Sequence, residues 1–188
     1  MSRGLFRSHN KVGETMSLQT NSPNSTTFDP VVTFLSGSDS VYWDLGEGSG
    51  YTAGNSLSYT YPDTGITKTV TLRTNLLSNL KEFQADSDNI IGNLDMSGWD
   101  NLGGNFYIYS NSELTGITHT ASPEVFNKYQ AYYCNLTGNH DISMFPNLGG
   151  QFQIQNNSEL TGITHTASPE VFNTYFANDC NLTGNHDV

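Results

Sequence analysis

Residues 111–127 read NSELTGITHTASPEVFN, and residues 157–173 read the same, letter for letter. A catalytic site is normally assembled once, so a faithful copy points to a stacked structural unit. The copies are offset by 46 residues, and Cys134 and Cys180 share that offset. The period divides into two similar halves. One half begins Phe126-x-x-Tyr129-x-Ala131-x-x-Cys134-x-Leu136. It recurs as Leu80, Phe83, Ala85, Asp88, Ile90 and as Phe172, Tyr175, Ala177, Cys180, Leu182. The other half is looser. Leu102, Phe106, Ile108, Asn111 and Leu114 fit with one extra residue before Phe106 and another before Leu114, and Leu148, Phe152, Ile154, Asn157 and Leu160 repeat that pattern. Aligned on the last Leu, the coils alternate between 22 and 24 residues, and about four and a half of them fill 80–188.

This frame resembles the irregular bacterial-type leucine-rich repeat, L-x-x-L-x-L-x-x-N/C-x-L. The resemblance implies a solenoid in which each coil lays a short strand ~4.8 Å from its predecessor. No coil can bury its apolar residues alone, so stacked coils share one core. Asn or Cys at the ninth position turns inward to satisfy backbone groups in the bend. Ser122-Pro123-Glu124 and Ser168-Pro169-Glu170 read as a helix start, which predicts one short helical turn per long coil.

The preceding region is different. VVTFL, SVYWDL, LSYTY and KTVTLRT read as short strands, with GEGSG, AGN and PDTG as turns. Trp43, Asp44, Gly46, Gly48, Tyr59, Tyr61, Gly65 and Val70–Leu72 resemble the PKD-like β-sandwich modules of bacterial surface proteins, with Glu47 where an Asp is usual. Such modules are generally non-catalytic spacers or binding units. The expected fold is therefore mainly β: a leucine-rich-repeat solenoid over 76–188, preceded by a small truncated β-sandwich-like module over 29–75 acting as N-terminal cap. Residues 1–28 are polar and aperiodic and read as a flexible arm. No distinct C-terminal cap is visible, and an exposed solenoid end favours association into a homo-oligomer.

Net charge is −11 over 188 residues, which argues against nucleic acid as partner. The arm runs the other way, with Arg3, Arg7 and Lys11 against Glu14, and suits anchoring to an acidic surface. No stretch approaches the ~20 apolar residues of a membrane span. The first residues lack the apolar core of a signal peptide, so export by the usual secretory route is not expected.

Few residues suggest chemistry. Aligned on the same Leu, the position five residues later reads Asp95, His119, Asp141, His165, Asp187. An alternating ladder of opposite charges is the structural reading, and a metal or acid/base site the functional one. Cys134 and Cys180, two coils apart, stand ~10 Å from each other. A disulfide needs Cα atoms within ~7 Å, so free, packed thiols are expected. Phosphate loops, nucleophile elbows and zinc spacings are absent, so no enzyme, cofactor or metal is expected. The strand face is the more promising surface. Tyr107, Tyr109, Gln130, Tyr132, Gln153, Gln155 and Phe176 point outward there and suit a glycan or protein partner. Extracellular-type modules without a visible export signal fit a bacteriophage virion protein. It would be a capsid decoration or fibre component, attached by its arm to other virion proteins and meeting the host surface by its repeats. The alternative is a bacterial cell-surface adhesin whose leader is missing from this chain.

Overall fold

The structure, a computed structural model, describes residues 13–22, 27–35, 39–63, 65–145, 147–165 and 172–183. The N-terminal strands are β1 (Glu14–Ser22), β2 (Thr27–Phe28), β3 (Val31–Phe34), β4 (Tyr42–Asp44), β5 (Tyr51–Ala53), β6 (Tyr59–Thr60) and β7 (Ile66–Thr74). The repeats contribute β8 (Leu80–Gln84), β9 (Ile90–Met96), β10 (Gly104–Tyr107), β11 (Glu113–His119) and β12 (Phe126–Gln130). They end with β13 (Gly138–Asp141), β14 (Leu148–Gln153), β15 (Leu160–Thr164) and β16 (Thr174–Phe176). The repeats wind into a β-solenoid of about four turns. Among the described residues, no helix is long and apolar enough to cross a membrane.

Each coil gives one strand to each of two walls. The front wall is the parallel series β8, β10, β12, β14, β16. Inward positions alternate with outward ones, as the period of a strand requires. Phe83, Phe106, Tyr129, Phe152 and Tyr175 therefore stack down the axis. Successive ring centroids lie 6.4, 4.8, 5.4 and 5.2 Å apart. The back wall is β9 paired with β11, and β13 paired with β15.

The corner between the walls is the same in every coil. A residue with positive φ sits there: Ser87, Ser110, Tyr133, Asn156 and Asp179, at φ between 52° and 63° and 23 residues apart. The left-handed region costs a non-glycine residue about 1 kcal/mol or more, and the next side chain offsets it. Asn111 Nδ2 donates to Ala85 O at 2.9 Å and Ile108 O at 2.7 Å, while its Oδ1 accepts from Ile90 N at 2.9 Å. Asn157 repeats these bonds with Ala131, Ile154 and Leu136. Cys134 and Cys180 donate more weakly from sulfur, to Ile108 O at 3.3 Å and Ile154 O at 3.4 Å.

Measured at this corner, every coil has 23 residues. The alternation of 22 and 24 is local. In the Asn coils one extra residue enters between Asn and Leu and is recovered at a bulge, with register shifts at Leu114/Gly116 and Gly138/Asn139.

The back wall is clipped in pairs. Asn93 Nδ2 donates to Thr118 Oγ1 at 3.0 Å, and Asn139 Nδ2 donates to Thr164 Oγ1 at 3.0 Å. The side chains lean over Gly116 and Gly162, where a Cβ would lie 2.6 Å from the Asn oxygen in both copies. Between the clipped pairs lies a seam. β11 and β13 belong to different sheets, joined at their starts by Asn135 N to Leu114 O and Thr137 N to Thr115 O, both 3.0 Å. The 46-residue period thus spans one clipped pair of coils and one seam.

The N-terminal strands close the first coil. β1 pairs with β9 at Gln19 and Thr20, and β3 pairs antiparallel with β8. One apolar core runs from Met16 through Trp43 and Val70 to Ile163. Trp43 Nε1 donates to Gly54 O at 2.8 Å, and Tyr61 Oη donates to Leu45 O at 3.1 Å, so both buried aromatics keep their polar ends satisfied.

Two expectations are corrected. Glu14–Ser22 is not part of a flexible arm. It pairs with β7 over nine residues and buries Met16 and Leu18, an alternation hidden by the polar residues between them. Arg3, Arg7 and Lys11 lie outside the described residues. No helical turn forms at Ser122. Its Oγ accepts the Glu124 amide at 3.2 Å in a local serine turn, and the return side of each of the first four coils is a strand. The copy at 168–170 lies outside the described residues.

The corner amide is testable. Asn111→Ala orphans buried carbonyl and amide groups, each worth about 1–3 kcal/mol. Urea unfolding should show a loss of about 3 kcal/mol or more. The exposed neighbour change Ser112→Ala should alter stability by less than about 0.5 kcal/mol.

Candidate functional site

The two copies can be compared position by position between 101–141 and 147–187. The differences are Asn105/Gln151, Tyr107/Gln153, Tyr109/Gln155, Ser110/Asn156, Lys128/Thr174, Gln130/Phe176, Tyr132/Asn178 and Tyr133/Asp179. Each lies on the outward side of a front-wall strand or at the corner just after it. The inward partners Phe106/Phe152, Ile108/Ile154, Tyr129/Tyr175 and Ala131/Ala177 are identical. Packing restrains the inner set, and the outer set has varied without disturbing the fold.

The outer side chains form columns along the axis. One runs Gln84, Tyr107, Gln130, Gln153, Phe176, each in register with the next. Gln130 Nε2 donates to Gln153 Oε1 at 2.7 Å, and Lys128 Nζ stands 5.8 Å from the Tyr107 ring centroid. The adjoining column carries Tyr109 and Tyr132, stacked at 4.6 Å with an interplanar angle of 1°. That spacing matches the coil rise, so the rings stand like plates across the axis. One face of each ring is covered by the other, and the Tyr109 hydroxyl is held by Asp86. Burial, then the hydrogen bond and charge of Asp86, push the Tyr109 phenol up to about 12. Burial also raises Tyr132. Both remain protonated donors at neutral pH. Phe176 is 47% exposed. The sequence reading places these residues on one face, and the structure groups them. Their ring orientation depends on coil-to-coil contact and was not legible.

The Asp/His column is corrected. In the back wall Asp95 pairs with Thr118 and Asp141 with Thr164, while His119 pairs with Met96. The bulge shifts the register by one residue, and in a strand that moves a side chain to the other face. Asp95 and Asp141 point outward, where their Oδ1 atoms accept the amides of Ser97 at 3.0 Å and Ser143 at 2.9 Å. His119 points inward, against Phe106, Tyr129 and Phe145. His165 does the same against Phe172 and Tyr175. Asp187 lies outside the described residues.

What the shift brings together was missed in the sequence. His119 Nε2 and His140 Nε2 each lie 2.7 Å from Tyr129 Oη. One hydroxyl proton can serve one ring only, so the two imidazoles fit as neutral, opposite tautomers. Burial, then the neighbouring His140, holds His119 well below the usual histidine range. Burial, opposed by the Asp141 charge, lowers His140 to about 4. His119 Nδ1 is buried without a partner, so its protonation would add an unpaired N–H. Counting 23 residues from corner to corner would have turned both histidines inward, His119 level with Ile142 and His140 with Ile117.

Cys134 and Cys180 are free. Burial pushes the Cys134 thiol up to about 12, which leaves no reactive thiolate at neutral pH. Among the described residues, no group of three or more His, Cys, Asp or Glu is placed to hold a metal. Asp88 occupies the Asn/Cys position of the first coil. Its Oδ1 accepts the Asp29 amide at 2.7 Å, and burial raises its carboxyl to about 8.

Comparison with protein-family models, with curated proteins and with solved structures finds no match to this chain.

The histidines predict an acid limb. A histidine whose folded value is depressed loses stability as pH falls from the unfolded value of ~6.5. For His140 the loss continues to about 4. Asp88 acts oppositely: its folded value is raised from 3.8 to about 8, so its contribution falls as pH rises from about 3.8 and is fully lost by about 8. Urea midpoints should therefore peak near about pH 6.5 and fall toward about pH 8. His119→Gln with His140→Gln should remove the acid limb, and Asp88→Asn the fall between about pH 6.5 and 8.

Proposed function

We propose that this protein is a non-enzymatic display and interaction module of a bacteriophage virion, acting as capsid decoration or as a fibre component. Its basic N-terminal residues Arg3, Arg7 and Lys11 attach it to other virion proteins, and its front wall contacts a host-surface glycan or protein. The observation that carries this reading is the pattern of variation between the internal copies. Every difference in the compared window lies on the outward side of the front wall or at the corner just after it, which is where a binding surface is tuned while the scaffold is kept. The buried histidines, thiol and carboxyl support it too, because each is occupied in holding the coil together. The stacked Tyr109 and Tyr132 give the face its chemistry. With one face of each ring covered by the other, and with Gln130, Gln153 and Gln155 beside them, they suit a ligand bound through polar edges more than one laid flat on a ring.

A bacterial cell-surface adhesin is the second reading, and the likeness of the Trp43–Gly48 turn to PKD-like modules favours it. On the virion reading, the protein copurifies with intact particles and is missing from the host envelope fraction. The reverse distribution selects the adhesin.

Tyr109→Ala with Tyr132→Ala should weaken binding on a glycan array or to host cells by at least about tenfold, with unchanged thermal stability. Unaltered binding would move the site off this face. A chain starting at Gly13 should fold, keep front-wall binding and lose particle attachment. Continued decoration would exclude the arm as anchor.

A further inference from the structure

The four described Lys and Arg side chains are Lys68, Arg73, Lys81 and Lys128. Lys68 pairs with Glu47 at 2.5 Å and Asp63 at 3.6 Å, and Lys81 approaches Glu124 at 3.9 Å. Lys128 lies over Tyr107. Arg73 makes no ion pair among the described residues, in a chain of net charge −11. The acids nearest in register are committed elsewhere. Asp44 faces Thr71, two residues from Arg73 along β7, and its Oδ1 accepts the Gly46 amide at 3.0 Å. Glu14 faces Thr74, and its Oε2 accepts the Leu77 amide at 2.6 Å. Where acids outnumber bases, an arginine left without a carboxylate is an open position.

Arg73 does not stand on a bare surface. It lines a cleft of about 300 Å³ with Gly13, Tyr42, Tyr51, Thr74 and Asn75. Register sets the shape: Tyr42 is directly opposite Arg73, and Tyr51 lies one strand further out, opposite Asp44. The guanidinium reaches across to stand 5.9 Å from the Tyr51 ring centroid. Unlike the Tyr109–Tyr132 pair, these rings are not stacked on each other, and Tyr42 and Tyr51 stay 45% and 48% exposed. Gly13 closes the cleft. A Cβ there would meet Thr74 O at 2.5 Å and Arg73 Nε at 3.1 Å, so only glycine lets the backbone pass behind the guanidinium.

We propose that this cleft, on the N-terminal module and apart from the front wall, binds an acidic sugar: a single ring bearing a carboxylate. The guanidinium fork matches a carboxylate with two parallel N–H···O bonds. The exposed Tyr faces take the apolar face of a sugar ring, and the exposed Asn75 adds an amide partner at the rim. The volume sits at the low end of small-ligand sites and suits one ring. The excess negative charge of the chain keeps free anions away at long range, so selectivity rests on a ligand that offers the ring and the carboxylate together.

The test uses the full chain, with glucuronate, glucose and acetate as probes. Binding is followed by NMR shifts of the Tyr42 and Tyr51 rings and the Arg73 Nε–H. Glucuronate should bind at least tenfold tighter than either glucose or acetate. Arg73→Gln should lower glucuronate affinity at least tenfold and leave glucose unchanged, and Arg73→Lys, with charge but no fork, should fall between. Tyr51→Ala should weaken glucuronate with Arg73 intact. Equal binding of glucose and glucuronate, or no loss in Arg73→Gln, overturns the proposal. Acetate binding as tightly as glucuronate overturns its sugar part. Tyr109→Ala with Tyr132→Ala should leave glucuronate binding untouched, which separates this site from the front wall.

Discussion

A buried amide at a left-handed corner is the constraint on which this solenoid depends. Each coil must reverse direction between its walls, and the reversal is made by a single residue with positive φ. That turn strands carbonyls and amides inside the core, where unpaired groups are costly. Asn111 and Asn157 collect them from their own coil and from the one before. The corner therefore also ties neighbouring coils together. Cys134 does part of this work with a longer, softer bond, and Asp88 does it where the repeats meet the N-terminal strands. With the corner fixed, the inward aromatic stack and the outward columns follow from alternation along each strand.

The repeat frame was legible because packing repeats. The inner aromatics and the Asn/Cys position recur at fixed intervals, and stacking requires that they do. The return strands were less legible. In Leu94, Ile117 and Ile163 the inward set is sparse, and Thr and Gly between them read as turn. Ser-Pro-Glu looked like a helix start, yet one strand already returns the chain across the core and leaves no length for a helix. The misplaced Asp/His column has a narrower cause. Leu114 sits beside a bulge, so an alignment pinned to that Leu carries a one-residue slip into everything after it. The same slip placed His119 on the wrong face and hid its meeting with Tyr129 and His140. β1 was missed because a strand whose outer face is all polar resembles a disordered tail until its partner, β7, is known.

The candidate surfaces differ in what a sequence can say about them. The front wall announces itself through disagreement between the copies 101–141 and 147–187, which are otherwise alike. The Arg73 cleft has no repeat to compare. It depends on three strands that are far apart in the chain and on which acids are already committed, and neither is written locally.

The clip and seam of the back wall have a consequence for length. Asn93 leans over Gly116, and Asn139 over Gly162, because asparagine and glycine alternate along that column. Removing the Gly116 coil would set asparagine against asparagine, with no space for the amide to cross, and removing the Asn139 coil would set glycine against glycine and lose the clip. Removing or adding a whole pair keeps every clip intact and changes only the number of seams. The rod is thus quantised in steps of two coils. Recombination between its nearly identical copies can lengthen or shorten it without passing through a misfolded intermediate size, and each step repeats or deletes one panel of outward-facing residues.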